Sequence, residues 1–182
     1  MNTVRGLVLG LLFAVALPVS AQQDPNPRLG PDLDQLVYGA YCAQEPDREA
    51  PAPDTASGTI NIVPTIPDFR FRQKIIPAQI GIGFGVLAWA PPGVVMEPVT
   101  AIVTHPPYPD SGITTESWMT DLDDGPNLMG FSFDRASELV LGEWTFSALS
   151  PEGEELFFIS FEVVAPELMP NIIEACFGSF LS

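Results

Sequence analysis

The 182-residue sequence predicts an all-β protein: one antiparallel β-sandwich with a short C-terminal tail. Three observations carry that expectation. Short runs of alternating apolar and polar residues recur, with turn residues every eight to twelve positions, which is the rhythm of a sandwich. Twenty prolines and fifteen glycines interrupt the chain too often for long helices. No segment carries a long stripe of apolar residues at helical spacing. Hydrophobic types make up 46% of the chain, enough for one domain with a real core.

Taken in order, the chain begins with Arg5, an uncharged apolar run from Gly6 to Leu17, Pro18 and the small-residue triplet Val19-Ser20-Ala21. That is the pattern of a secretory leader over residues 1–21, cleaved after Ala21, and its apolar run is shorter than the roughly 20 residues a membrane span requires. No cysteine follows the cleavage point to accept a lipid, and no membrane span is expected after cleavage. Residues 22–35, with Pro25, Pro27 and Pro31, read as a flexible lead-in. The sandwich is placed over residues 36–166 and a tail over residues 167–182.

Within the sandwich the expected strands are Leu36–Cys42, Gly58–Val63, Phe69–Ile75, Ile80–Trp89, Val94–Thr104, Thr114–Thr120, Leu128–Asp134, Glu143–Leu149 and Glu155–Val164. Between the first two, Glu45–Ser57 holds Pro46, Pro51 and Pro53 among acids and small residues and reads as a second loose stretch. Period-two alternation is clearest near the end, where Trp144, Phe146, Phe157, Ile159 and Phe161 fall on inward positions. Ser150-Pro151-Glu152-Gly153 joins those two strands as a hairpin turn. Pro166 ends the last strand, and the tail, Leu168 to Phe180, reads as about one helical turn delivering Cys176.

Charge narrows the function. Seven basic and 23 acidic residues give a formal net charge of −16, which argues against nucleic acid and against anionic membranes, since both are held by a basic face. In an oxidising compartment two thiols in one small domain pair, and Cys42–Cys176 is the one intramolecular choice.

The chemical motifs are weaker. Gly81, Gly83 and Gly85 recur at period two before Pro91-Pro92, so they open no phosphate-binding helix; they leave one strand face bare for a large aromatic or a neighbouring backbone to cover. Asp121, Asp123 and Asp124 beside Gly125 form an acidic turn that offers carboxylates to calcium without the spacing of a calcium-binding hand. His105 is the sole imidazole and cannot build a zinc or copper site by itself, and Met96, Met119, Met129 and Met169 form no copper-binding cluster with it. Arg70, Arg72 and Lys74 alternate with Phe69 and Phe71, which on a strand would gather three of the seven basic residues outward, a strip on which an anionic ligand or acidic partner would dock.

The string from Glu138 to Phe146, with Phe161-Glu162-Val163, resembles the closing hairpin of secreted immunoglobulin-like domains. With Gly39-Ala40-Tyr41-Cys42, Gly83-Phe84-Gly85-Val86 and Thr104-His105-Pro106-Pro107, it resembles a secreted proteobacterial family, domain of unknown function 3859, over about residues 36–165. The resemblance implies an immunoglobulin-like sandwich in the periplasm of a Gram-negative bacterium, or secreted, and supplies no activity, cofactor or catalytic residue. The expected function is a non-catalytic binding or structural module for a protein or small ligand. A carboxylate-dependent secreted hydrolase and a calcium-stabilised adhesion-type domain are the alternatives.

Overall fold

In the structure, a computed structural model that describes residues 26–178, the chain folds into strands β1 (Arg28–Leu29), β2 (Gln35–Cys42), β3 (Arg48–Pro51), β4 (Thr59–Ile62), β5 (Ile75–Pro77), β6 (Ile82–Trp89), β7 (Met96–Thr104), β8 (Thr115–Leu122), β9 (Asn127–Ser132), β10 (Gly142–Leu149) and β11 (Glu155–Val164), followed by helix α1 (Pro170–Phe177). The leader expected over residues 1–21, and the start of the lead-in, lie outside the described residues.

One sheet runs β1-β11-β10-β7-β8, with β5 also on β11; the other runs β2-β6-β9. The β3–β4 hairpin forms a separate two-stranded unit. The ladders are antiparallel except β5 on β11, which is parallel. The chain changes sheet between β6 and β7, between β8 and β9, and between β9 and β10, the crossing pattern of an immunoglobulin-like sandwich.

Alternation explains the core. Trp144, Phe146, Phe157, Ile159 and Phe161 are all buried, and Trp144 faces Phe161 across the β10–β11 ladder as Phe146 faces Ile159. From the opposite sheet Phe84 reaches between them, its ring centroid 5.4 to 5.5 Å from those of Phe133, Trp144, Phe146 and Phe161. The Trp144 indole N–H, which burial alone would leave unsatisfied, donates to the Val140 carbonyl at 3.0 Å.

Four expectations change. Phe69–Ile75 is not a strand: Phe71 makes a single bridge to Ala40 of one sheet, and only from Ile75 does the chain pair with β11 of the other. The segment crosses between sheets, so it cannot stay in either ladder, and it kinks where Gln73 N–H donates back to Phe71 O. Gly39, at φ +150°, permits this crossing, because a Cβ there would collide with the Phe71 carbonyl. Glu45–Ser57 contains β3, which pairs with β4 despite its prolines, Pro51 lying at its end. The lead-in is tied down at its described end by β1, where Arg28 and Leu29 pair with Phe158 and Phe157. The tail holds an eight-residue helix rather than one turn, seated by buried Ile172 and joined to β2 through the Cys42–Cys176 disulfide, with Cα atoms 5.3 Å apart.

Candidate functional site

β8 ends one sheet and β9 ends the other, and among the described residues no further strand lies beyond either. The β3–β4 hairpin stands over the gap between them. Its tip is fastened to β8, where Ser117 N–H donates to Asp54 O at 3.1 Å and Ala56 N–H donates to a Glu116 carboxylate oxygen at 2.6 Å. Its other strand is fastened past β9, where the Asn61 amide donates to Asp134 at 2.8 Å. Beneath the hairpin runs a groove of about 720 Å³, walled by the chain from Thr59 to Ile66 on one side and by Trp118, Leu128, Gly130 and Phe131 on the other.

The bare glycine face becomes part of this site. The Tyr41 ring from β2 lies where Cβ atoms at Gly83 and Gly130 would stand, and it packs on Phe69 with centroids 4.9 Å apart. Burial pushes the Tyr41 phenol up to about 12; the Ser132 hydroxyl opposes the shift and the Asp134 carboxylate adds to it.

A buried polar cluster sits behind the hairpin tip. Tyr108 O–H donates to Glu116 Oε1 at 2.7 Å, and the His105 ring lies between Tyr108 and Trp144, with centroids 4.0 and 4.6 Å away. His105 Nδ1 donates to Pro106 O at 2.8 Å, so Nε2 carries a proton only in the imidazolium. Nε2 lies 3.4 Å from Glu116 Oε1, outside hydrogen-bond geometry, and attracts the carboxylate only when the ring is protonated. Burial raises the Glu116 carboxyl, yet His105, the Ala56 amide and the Tyr108 hydroxyl together outweigh it and hold the group below its ordinary range. Sequence reading passed over this cluster. Its signal was an acid at a position facing the core, since Glu116 is in register with buried Val103.

Two further acids of the groove, Glu138 and Asp134, are held by the chain's own donors. Glu138 accepts the backbone amides of Asp134 and Arg135 at 2.8 and 2.9 Å, and burial still raises its carboxyl. Burial likewise raises Asp134, with Asn61 and Arg135 opposing and Glu45 adding. Of the acidic turn, Asp123 accepts Gly125 N–H at 2.8 Å and Asp124 accepts Gly93 N–H at 2.9 Å, while Asp121 is exposed. No three metal-ligating side chains come together among the described residues.

The basic strip is not one strand face. Exposed Arg70 lies 3.8 Å from Asp68, Arg72 Nε donates to Phe69 O at 3.2 Å, and Lys74 Nζ donates to Asn26 O at 3.0 Å. The groove therefore offers apolar walls, carboxylates and unpaired strand edge, a set suited to recognition.

A family model described as Domain of unknown function (DUF3859) matches residues 29–163. A crystal structure of an immunoglobulin-like protein from Pseudomonas aeruginosa is similar at 20% identity, with a TM-score of 0.49 over 79% of this chain and 100% of that one. No curated protein matches the chain.

Proposed function

The chain belongs to the family of unknown function that this model describes, and from that premise we propose that it is a non-catalytic binding module working outside the cytoplasm, in the periplasm or secreted. The observation that carries this reading is the roofed groove at the two sheet edges. Its buried carboxylates are consumed by internal bonds: both Glu116 oxygens and one Glu138 oxygen already accept donors from the chain. A carboxylate hydrolase would need two facing acids free to act on a substrate, which this arrangement does not favour. The Cys42–Cys176 disulfide supports an oxidising compartment, and no described helix is long and apolar enough to cross a membrane.

The test is a photo-crosslinking amino acid placed at Ile60, on the groove wall, or at Leu168, which is 68% exposed and far along the chain from it. In living cells the first position should give a discrete adduct and the second none. Identical adducts from both positions, or none from Ile60, would overturn the reading.

A further inference from the structure

We propose that the groove takes an extended basic peptide segment, which adds as a strand to the free edge of β9; the proposal rests on the binding reading above and names its partner class. The phase of the ladder sets which groups are free. Phe133 N–H donates to Ile82 O at 3.0 Å, and hydrogen-bonded pairs recur every second residue, so Phe131 and Met129 bond to β6. The N–H and C=O of Leu128, Gly130 and Ser132 then point away from β6, and those three residues line the groove.

Beneath the hairpin, β9 also carries none of the guards that blunt an edge from within its own sequence. Exposed edges are ordinarily blunted by charge, proline or a bulge, and Asn127-Leu128-Met129-Gly130-Phe131-Ser132 has no charge and no proline and pairs with β6 without a register shift. The edge of β8 differs, because Asp54 already occupies the Ser117 amide. The opposite wall, Thr59–Ile66, would extend over about 26 Å at roughly 3.3 Å per residue, so the shape suits a strand better than a compact ligand.

Charge selects the occupant. Glu45, Glu49 and Asp134 line the groove against Arg135, the one cation among its described lining residues, which itself faces Glu138 at 3.9 Å. Ile60, Trp118 and Leu128 supply apolar contacts between those charges. An incoming strand that alternates Lys or Arg with aliphatic residues matches both features. A second copy of this chain, at a net charge of −16, would bring acid to acid.

The probes are three labelled octapeptides: alternating Lys and Val, alternating Glu and Val, and the Lys–Val peptide N-methylated at every second residue so that one backbone edge cannot pair. Fluorescence anisotropy with the whole protein should show saturable binding of the first and at least tenfold weaker binding of the other two. Exposed Glu45→Gln with Glu49→Gln should weaken the first severalfold while leaving the melting temperature unchanged. Equal binding of the N-methylated peptide refutes strand addition, and equal binding of the Glu–Val peptide refutes charge selection. Concentration-dependent dimers seen by sedimentation without peptide, abolished by a charge at Leu128, would reassign the edge to a second copy and overturn the proposal. If no peptide binds while the Ile60 adduct persists, the partner class is wrong and the binding reading stands; loss of both defeats both.

Discussion

The two long sides of the sandwich treat their sheet edges in opposite ways. On one side the outer edge of β11 is taken by β1 near Phe157–Phe158 and by β5 at Glu162–Val164, and the same crossing segment touches β2 through Phe71. On the other side β8 and β9 end with no strand beyond them among the described residues, and a hairpin held by a few hydrogen bonds roofs the gap. The closed side is sealed by backbone pairing over buried Ile76 and Phe157. The open side is held by polar contacts whose partners lie far apart in sequence. Edges are a liability that folds usually cover. The side left open beneath the hairpin is the one on which the proposed binding reading rests.

The largest expected effect tests what ties the closed end together. The disulfide separates its cysteines by 134 residues, and on the chain-entropy account closing such a loop stabilises by about 5 kcal/mol. Denaturant unfolding with and without reductant should show most of that difference. A change below about 1 kcal/mol would mean that α1 is held by Ile172 packing alone. Next, Phe157→Ala, fully buried under β1, should cost about 3 to 5 kcal/mol, whereas Ile60→Ala on the hairpin should cost under about 1 kcal/mol. If the unfolding midpoints rank these two the other way, the contrast between the sides fails.

That contrast also explains what could be read from sequence. From Glu143 to Ala148 and from Phe157 to Val163 burial alternates strictly, because one face of each run packs on the core, so Trp144, Phe146, Phe157, Ile159 and Phe161 declared their facing. The segment from Phe69 to Arg72 also alternates, yet its partners change from one sheet to the other by Ile75, and local pattern does not name the partner of a strand. The groove was hidden for the same reason. Glu116 meets Ala56 across 60 residues and Asn61 meets Asp134 across 73, so the site exists only once the topology is known. The glycine face was legible as bare, but that Tyr41 fills it follows from the β2–β6 register.

Tyr41 sharpens the comparison by pH. Its folded value of about 12 lies above the ordinary 10, so its contribution is intact below pH 10 and is lost as pH rises through 12. At 1.36 kcal/mol per pKa unit the full loss is about 3 kcal/mol. Tyr41→Phe should remove that share of alkaline destabilisation. Tyr108, raised first by burial and then by its bond to Glu116, should retain the remainder. An unchanged alkaline profile in the variant would show that the phenol is reached by water in solution.

The smallest expected effect is the most local. Glu116 is held below the ordinary carboxylate value of 4.5, so its stabilisation is present above that pH and fades as pH falls through the folded value. Protonation, or Glu116→Gln, leaves the side chain in place but ends its service as a double acceptor for Ala56 N–H and Tyr108 O–H. One donor keeps an oxygen and the other loses its charged partner, a cost of about 1 to 3 kcal/mol. Because Ala56 belongs to the hairpin and Tyr108 to the sandwich, the loss should show first as release of the roof. Hydrogen exchange at the Ala56 amide should therefore quicken in the variant at pH 7. After correction for intrinsic rates, it should quicken in the unmodified protein only below the carboxylate range. Amides of buried β6, such as that of Val86, should keep their protection in both. If instead Ala56 and Val86 lose protection together, the hairpin opens only with the whole fold, and the open side is no looser than the closed one.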